Sequence, residues 1–128
     1  MKKITKWLAV FSTVVFLSGC SRMAVIQEVH SVIPSQQTVN DVRQAIVTAS
    51  SKRGWSVKSE ETGKIFSRLN NRAHMVEVVI VYDERGYKIH YLDSVNMRAR
   101  NGRIHPKYVQ WVRTLDGDIK KNLILQSH

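Results

Sequence analysis

Residues 55–93 read WSVKSEETGKIFSRLNNRAHMVEVVIVYDERGYKIHYLD, and the way this stretch pairs with itself decides the fold. Four segments in it carry the alternating, β-branched and aromatic pattern of strands: Trp55 to Glu60, Lys64 to Leu69, His74 to Tyr82, and Tyr87 to Asp93. The residues between them are turn formers, and loop length sets which residues face each other across a hairpin. A three-residue loop Glu61-Thr62-Gly63 pairs Trp55 with Leu69, Val57 with Ser67 and Ser59 with Ile65. A four-residue loop Asn70-Asn71-Arg72-Ala73 pairs Leu69 with His74 and sets Val76 and Val78 across from Ser67 and Ile65. A four-residue loop Asp83-Glu84-Arg85-Gly86 pairs Tyr82 with Tyr87, Ile80 with Ile89 and Val78 with Tyr91. A slip of one residue at any turn would send a strand's apolar side chains to the opposite face. All three turns instead put the large apolar residues on one face, which predicts a four-stranded antiparallel meander with one buried side.

On both flanks the apolar period lengthens to that of a helix. Thr38 with Asp41 three residues later is a helix start, and Val39, Val42, Ile46 and Ala49 then recur at helical spacing, predicting a helix over 38–52 that stops before Gly54. Pro106 suits the first turn of a second helix, in which Tyr108, Trp111, Val112, Leu115, Ile119 and Leu123 share a stripe. Gly117 weakens that helix by about 1 kcal/mol relative to Ala. Two amphipathic helices beside a one-faced sheet bury their stripes by covering that face. The expected fold is therefore α+β, a two-layer sandwich in the order α-β-β-β-β-α, with one domain over residues 37–126.

The sheet face turned away from the helices would carry Phe66, Met75, Val79, Val81, His90 and Leu92 among charged neighbours. That is a large apolar surface to leave bare. Three readings compete: partial cover by apolar residues from further upstream, a docking face for a partner or second copy, and ordinary scattered exposure. Phe66, Met75, Val79, Val81, His90 and Leu92 are the candidate partner face.

The N-terminus fixes the expected compartment. Lys2, Lys3 and Lys6 precede the apolar run Trp7 to Leu17, and the small residues Ser18 and Gly19 precede Cys20, the only cysteine in the chain. This is the order of a secretory signal, and an apolar run of about eleven residues falls well short of the roughly 20 that span a bilayer. Leu17-Ser18-Gly19-Cys20 resembles the bacterial lipobox, whose cysteine sulfur receives a diacylglyceryl group before cleavage ahead of it. We therefore expect residues 1–19 to be a lipoprotein signal peptide and Cys20 to be lipidated, since a lone cysteine has no disulfide partner. Two or three acyl chains hold a protein on a membrane almost permanently. Ser21, in place of Asp after the cysteine, implies by resemblance to enterobacterial sorting an outer-membrane location, on the periplasmic face. Residues 20–36 link anchor to domain. As a flexible coil they would span about 20–25 Å, but Val25, Ile26, Val29, Val32 and Ile33 are too many apolar residues for a spacer, so part of the segment is expected to pack on the domain, an edge strand being the form open to it.

The chain of 128 residues has 20 Lys and Arg against 10 Asp and Glu, a formal net charge of +10. Without the three signal lysines the mature domain keeps about +7. Export makes nucleic acid an unsuitable partner and turns attention to acidic envelope material such as lipid phosphates or anionic glycans. The cations cluster in RARNGRIHPK, residues 98–107, where Arg98, Arg100, Arg103, His105 and Lys107 surround an Asn101-Gly102 turn. Guanidinium groups so placed suit a bidentate grip on phosphate or carboxylate, and these five residues are the candidate anion-binding set. The alternative is a solvated loop that keeps the protein soluble.

His74, His90 and His105 show no paired spacing of the kind metal sites use, so no metal and no cofactor is expected. Asp93 and Ser94 lie near His90 in sequence, but no nucleophile-elbow pattern surrounds them, and no catalysis is expected.

The runs GWSVKSEETGKIFSRL, VEVVIVYDERGYKIHYLDSVNM and IHPKYVQWVRTL together resemble small, uncharacterised Gram-negative outer-membrane lipoproteins. The resemblance spans roughly residues 38–125 besides the lipobox. It implies lipid anchoring and a compact α+β domain, and no activity. The expected function is a lipid-anchored periplasmic module acting by protein–protein binding or structural support. The alternative is a binder of a small ligand or of anionic lipid or glycan, through the basic loop or a sheet–helix cleft.

Overall fold

The structure, a computed structural model, describes residues 22–126. The expected signal segment, residues 1–19, and Cys20 lie outside the described residues. Thr38 starts the first helix as its side chain requires: the hydroxyl accepts the Asp41 backbone N–H at 3.0 Å, and the Asp41 carboxylate accepts the Thr38 N–H at 3.1 Å. Helix α1, Val39–Lys52, buries Val42, Ala45, Ile46 and Ala49, the i, i+3, i+4, i+7 set of a single stripe. Gly54 follows with φ of 82°, ending the helix and turning the chain into the sheet.

Strands β3 (Trp55–Glu61), β4 (Lys64–Asn71), β5 (His74–Tyr82) and β6 (Gly86–Val95) form the expected meander, with two turns tighter than the sequence reading. Between β3 and β4 the turn is Thr62-Gly63 and Glu61 pairs with Lys64. Trp55 still pairs with Leu69 and Val57 with Ser67, because a bulge after Val57 absorbs the residue the shorter turn releases. Ser59 therefore faces Phe66 rather than Ile65. Between β4 and β5 the turn is Arg72-Ala73, with Arg72 at φ of 59°, and Val76 pairs with Leu69 rather than Ser67. This slip is two residues, a full period of the strand, so every side chain keeps its expected face. The third register is as expected from Tyr82–Tyr87 to Val78–Tyr91, after which a second bulge realigns Glu77 with Asp93.

The fold departs from the expected four strands at its upstream edge. The main sheet has five, in the order β2-β6-β5-β4-β3, because Val29–Val32 of the linker segment forms β2 against β6. A separate two-stranded ribbon joins β1 (Ala24–Val25) to β7 (Arg103–Ile104). The boundary drawn at residue 37 thus misses these strands. β2 is the edge strand open to this segment; its inward positions are Val29, Ser31 and Ile33, of which Ser31 is polar. Ser31 is buried all the same because its hydroxyl donates to Asp116 Oδ1 at 2.9 Å, and Tyr87 OH donates to the same oxygen at 2.6 Å.

Helix α2, Pro106–Gln126, carries Asp116 and packs Tyr108, Val112, Leu115, Ile119 and Leu123 onto the core. Trp111, expected on the same stripe, is only half-buried at its edge. Asn122 donates to the Ala45 carbonyl at 3.1 Å, and Arg53 bridges to Asp118 at 2.5 Å, so the two helices are tied midway along α1 and at its C-terminal end. The Arg53 guanidinium bonds to the Asp118 carboxylate and holds its pKa below the ordinary range.

Candidate functional site

The structure splits the basic cluster into two surfaces. Ile26 N–H donates to the Gly102 carbonyl at 2.8 Å, and the β1–β7 ribbon carries that contact on through Ala24–Ile104 and Val25–Arg103. Arg98, Arg100 and Arg103 therefore stand around Met23, in an open groove of about 720 Å³ that no acidic residue lines. All three are exposed, and none of their guanidinium groups bonds to another described residue. Arg98 and Asn101 hold positive φ of 57° and 54° beside Gly102 at 75°, so the hairpin is wound tightly enough to display its side chains outward.

His105 and Lys107 turn the other way, into a cleft of about 410 Å³ at the start of α2. The β4–β5 turn supplies Asn71 and Arg72 to its rim, His74 stands at the head of β5, and Trp111 lies one helical turn beyond Lys107. The rings of His74 and His105 are 6.1 Å apart, tilted by 43°. Asn96 ties this region together: its carbonyl accepts from His74 Nδ1 at 2.8 Å and its amide donates to the Ala73 carbonyl at 2.6 Å. His105 N–H donates to the Met97 carbonyl at 2.8 Å, and Met97 is buried beneath the cleft. Sequence reasoning grouped His105 and Lys107 with the arginines, and it missed Asn71, Arg72 and His74 as their neighbours. Residues 71 and 105 meet only through the pairing of β4, β5 and β6, and no local spacing signals that.

The outer sheet face gathers most of the expected apolar set. Phe66, Val79 and His90 lie in one cross-strand row, Val81 stands in the next between Lys64 and Lys88, and Met75 pairs with Val95. Leu92 sits at the β6 bulge and is 48% exposed. Both helices pack on the other face, and the upstream segment extends the sheet edge instead of covering this face, with His30 and Val32 pointing out. That disposes of cover by β2 as the explanation for the row. The Arg68–Glu77 ion pair at 2.6 Å borders it, and His90 Nδ1 lies 3.1 Å from the Glu28 carboxylate.

Ser94 is not set up beside a histidine: its hydroxyl shares a 2.7 Å hydrogen bond with Tyr91 OH, and its N–H donates to Asp93. His90 lies on the outer face, apart from the His74–His105 pair. Among the described residues no three His, Cys, Asp or Glu side chains come together as a metal site, and no helix is long and apolar enough to cross a membrane. No protein-family model, curated protein or solved structure matches the chain.

Proposed function

We propose that the protein is a lipid-anchored binding module of the bacterial envelope, held by Cys20 on the periplasmic face of the outer membrane and acting by contact rather than catalysis. The observation that supports this reading best is the outer sheet face. Its apolar centre of Phe66, Val79 and Val81 is framed by the Arg68–Glu77 ion pair and the His90–Glu28 contact, the layout of a protein interface with a dry middle and a polar rim. The occupant is a second envelope protein. A photo-crosslinking residue at Val79 is expected to give one discrete adduct in cells, whereas the same residue at exposed Lys121 gives none. Val79→Asp should abolish capture while the chain melts within a few degrees of the parent. A collapse of the melting temperature instead would mean that this face is core, and the reading would fall.

A second contact is favoured by a separate observation, the pairing of β1 with β7. It keeps Arg98, Arg100 and Arg103 beside Met23, three residues from the anchoring cysteine and so within about 11 Å of it along a fully extended chain. On this reading the arginine hairpin rests on lipid phosphates and the domain sits directly on the bilayer. Each cation at an anionic surface contributes about 1 kcal/mol. In the mature chain carrying Cys20→Ser, Arg98→Gln with Arg103→Gln should therefore weaken binding to phosphatidylglycerol-containing vesicles by about 30-fold at low salt. Equal binding by parent and variant in a vesicle flotation assay would remove the contact.

A further inference from the structure

We propose that the cleft between the β4–β5 turn and the start of α2 binds a small oxyanion carried on a hydroxylated ring, the chemistry of an acidic sugar. This does not rest on the lipid anchor or on the outer sheet face. The charged side chains at the cleft, Arg72 and Lys107, are both cationic, and neither the guanidinium nor the ammonium group bonds to another described residue. With no carboxylate to neutralise them, their donors are left for a ligand anion.

The two imidazoles add a polarity that an anion alone does not need. The Asn96 carbonyl can only accept, so His74 Nδ1 carries its proton and, in the neutral ring, Nε2 is a bare acceptor. His105 is the reverse: its Nδ1 accepts the Lys107 backbone N–H at 3.1 Å, so Nε2 keeps the hydrogen. One ring thus offers a lone pair and its neighbour, 6.1 Å away between centroids, offers a donor. That is the complement of a hydroxyl group, which accepts and donates at once. Trp111 supplies the third element, a half-buried indole against which the C–H face of a sugar ring can lie. The volume, about 410 Å³, falls within the range of about 300–1,000 Å³ usual for small-ligand sites.

The site is also preorganised. Asn96 bonds to both His74 and Ala73, while His105 is held to Met97, so the turn, the loop after β6 and the helix start are fixed to one another before any ligand arrives.

The test is an amide and indole NMR titration of the full chain in detergent with glucuronate and with glucose 6-phosphate, which distinguish carboxylate from phosphate. At least one should shift Arg72, His74, His105 and the Trp111 indole saturably, with glucose and inorganic phosphate each at least tenfold weaker. Arg72→Gln with Lys107→Gln should weaken the effective ligand at least tenfold, and Trp111→Phe, which keeps a ring, by a few-fold. Lys121→Gln, exposed and outside the cleft, should leave it unchanged. The proposal is overturned if neither sugar acid shifts these residues, if inorganic phosphate does so as well as they do, or if Lys121→Gln weakens binding as much as the cleft variants.

Discussion

Gly86→Val is expected to lower the melting temperature by about 10–15 °C and to strip β2 from the sheet. Gly86 opens β6 opposite Val32, and a Cβ built there would collide with the Ser31 carbonyl oxygen, a backbone atom of the neighbouring strand. Backbone cannot rotate out of the way as a side chain can, so either β2 withdraws or the start of β6 bends. Forcing bulk into a closed contact of this kind costs about 2–4 kcal/mol, and each kcal/mol moves the midpoint of a domain this size by about 4 °C. The loss should be local. Amides of residues 29–33 should exchange freely in the variant while those of β4 and β5 keep their protection. A variant that melts with the parent and protects 29–33 would mean that β2 does not lie against Gly86.

The second large effect concerns Asp116. It is the common acceptor for Ser31 and Tyr87 and also pairs with Lys120 at 3.1 Å, so one carboxylate joins the edge strand, the sheet and α2. Asp116→Ala would leave the buried Ser31 hydroxyl without its acceptor and Tyr87 OH with only the longer 3.3 Å bond to the backbone carbonyl of residue 116, at an expected cost of about 2–4 kcal/mol in urea unfolding. Tyr108→Phe provides the contrast. Tyr108 is equally buried, but its hydroxyl makes no hydrogen bond to any described residue, so its removal should be neutral or stabilise by up to about 1 kcal/mol. A loss in Tyr108→Phe as large as in Asp116→Ala would refute this account of the core.

The same two tyrosines set the alkaline limit. Burial raises the pKa of Tyr87, reinforced by its hydrogen bond to Asp116, and burial raises that of Tyr108 with Tyr91 adding to it. A phenol whose pKa is higher in the folded than in the unfolded chain favours folding below its unfolded value of about 10, and that advantage is lost as pH rises beyond it. Melting temperatures should therefore fall steeply above about pH 10, and less steeply in Tyr108→Phe.

Thr38 and Asp41 show how local chemistry makes an element legible, since the capping box needs only residues three apart. The β4–β5 turn shows the opposite: nothing in Asn70-Asn71-Arg72-Ala73 reveals whether four residues or two make the turn, and Arg72 in a left-handed conformation is an uncommon choice that sequence preferences argue against. The faces were nevertheless read correctly, because a slip of two residues preserves them. The bulges in β3 and β6 were invisible for a similar reason, each compensating an offset that strand pairing alone defines.

The sequence by itself determined α1, α2, the four strands of the meander and the side of the sheet on which the apolar residues gather, because each follows from a period or a cap within one short segment. Only the tertiary structure decided that Ser31 belongs to the interior, that the arginine hairpin joins the segment next to Cys20, and that His74 and His105 share a cleft. Those outcomes depend on partners 85 residues apart for Ser31 with Asp116, on the pairing of β1 with β7, and on the bonds that tie His74 to Asn96 and His105 to Met97. Contacts over such separations form only when the whole sheet closes, so no window of sequence contains them.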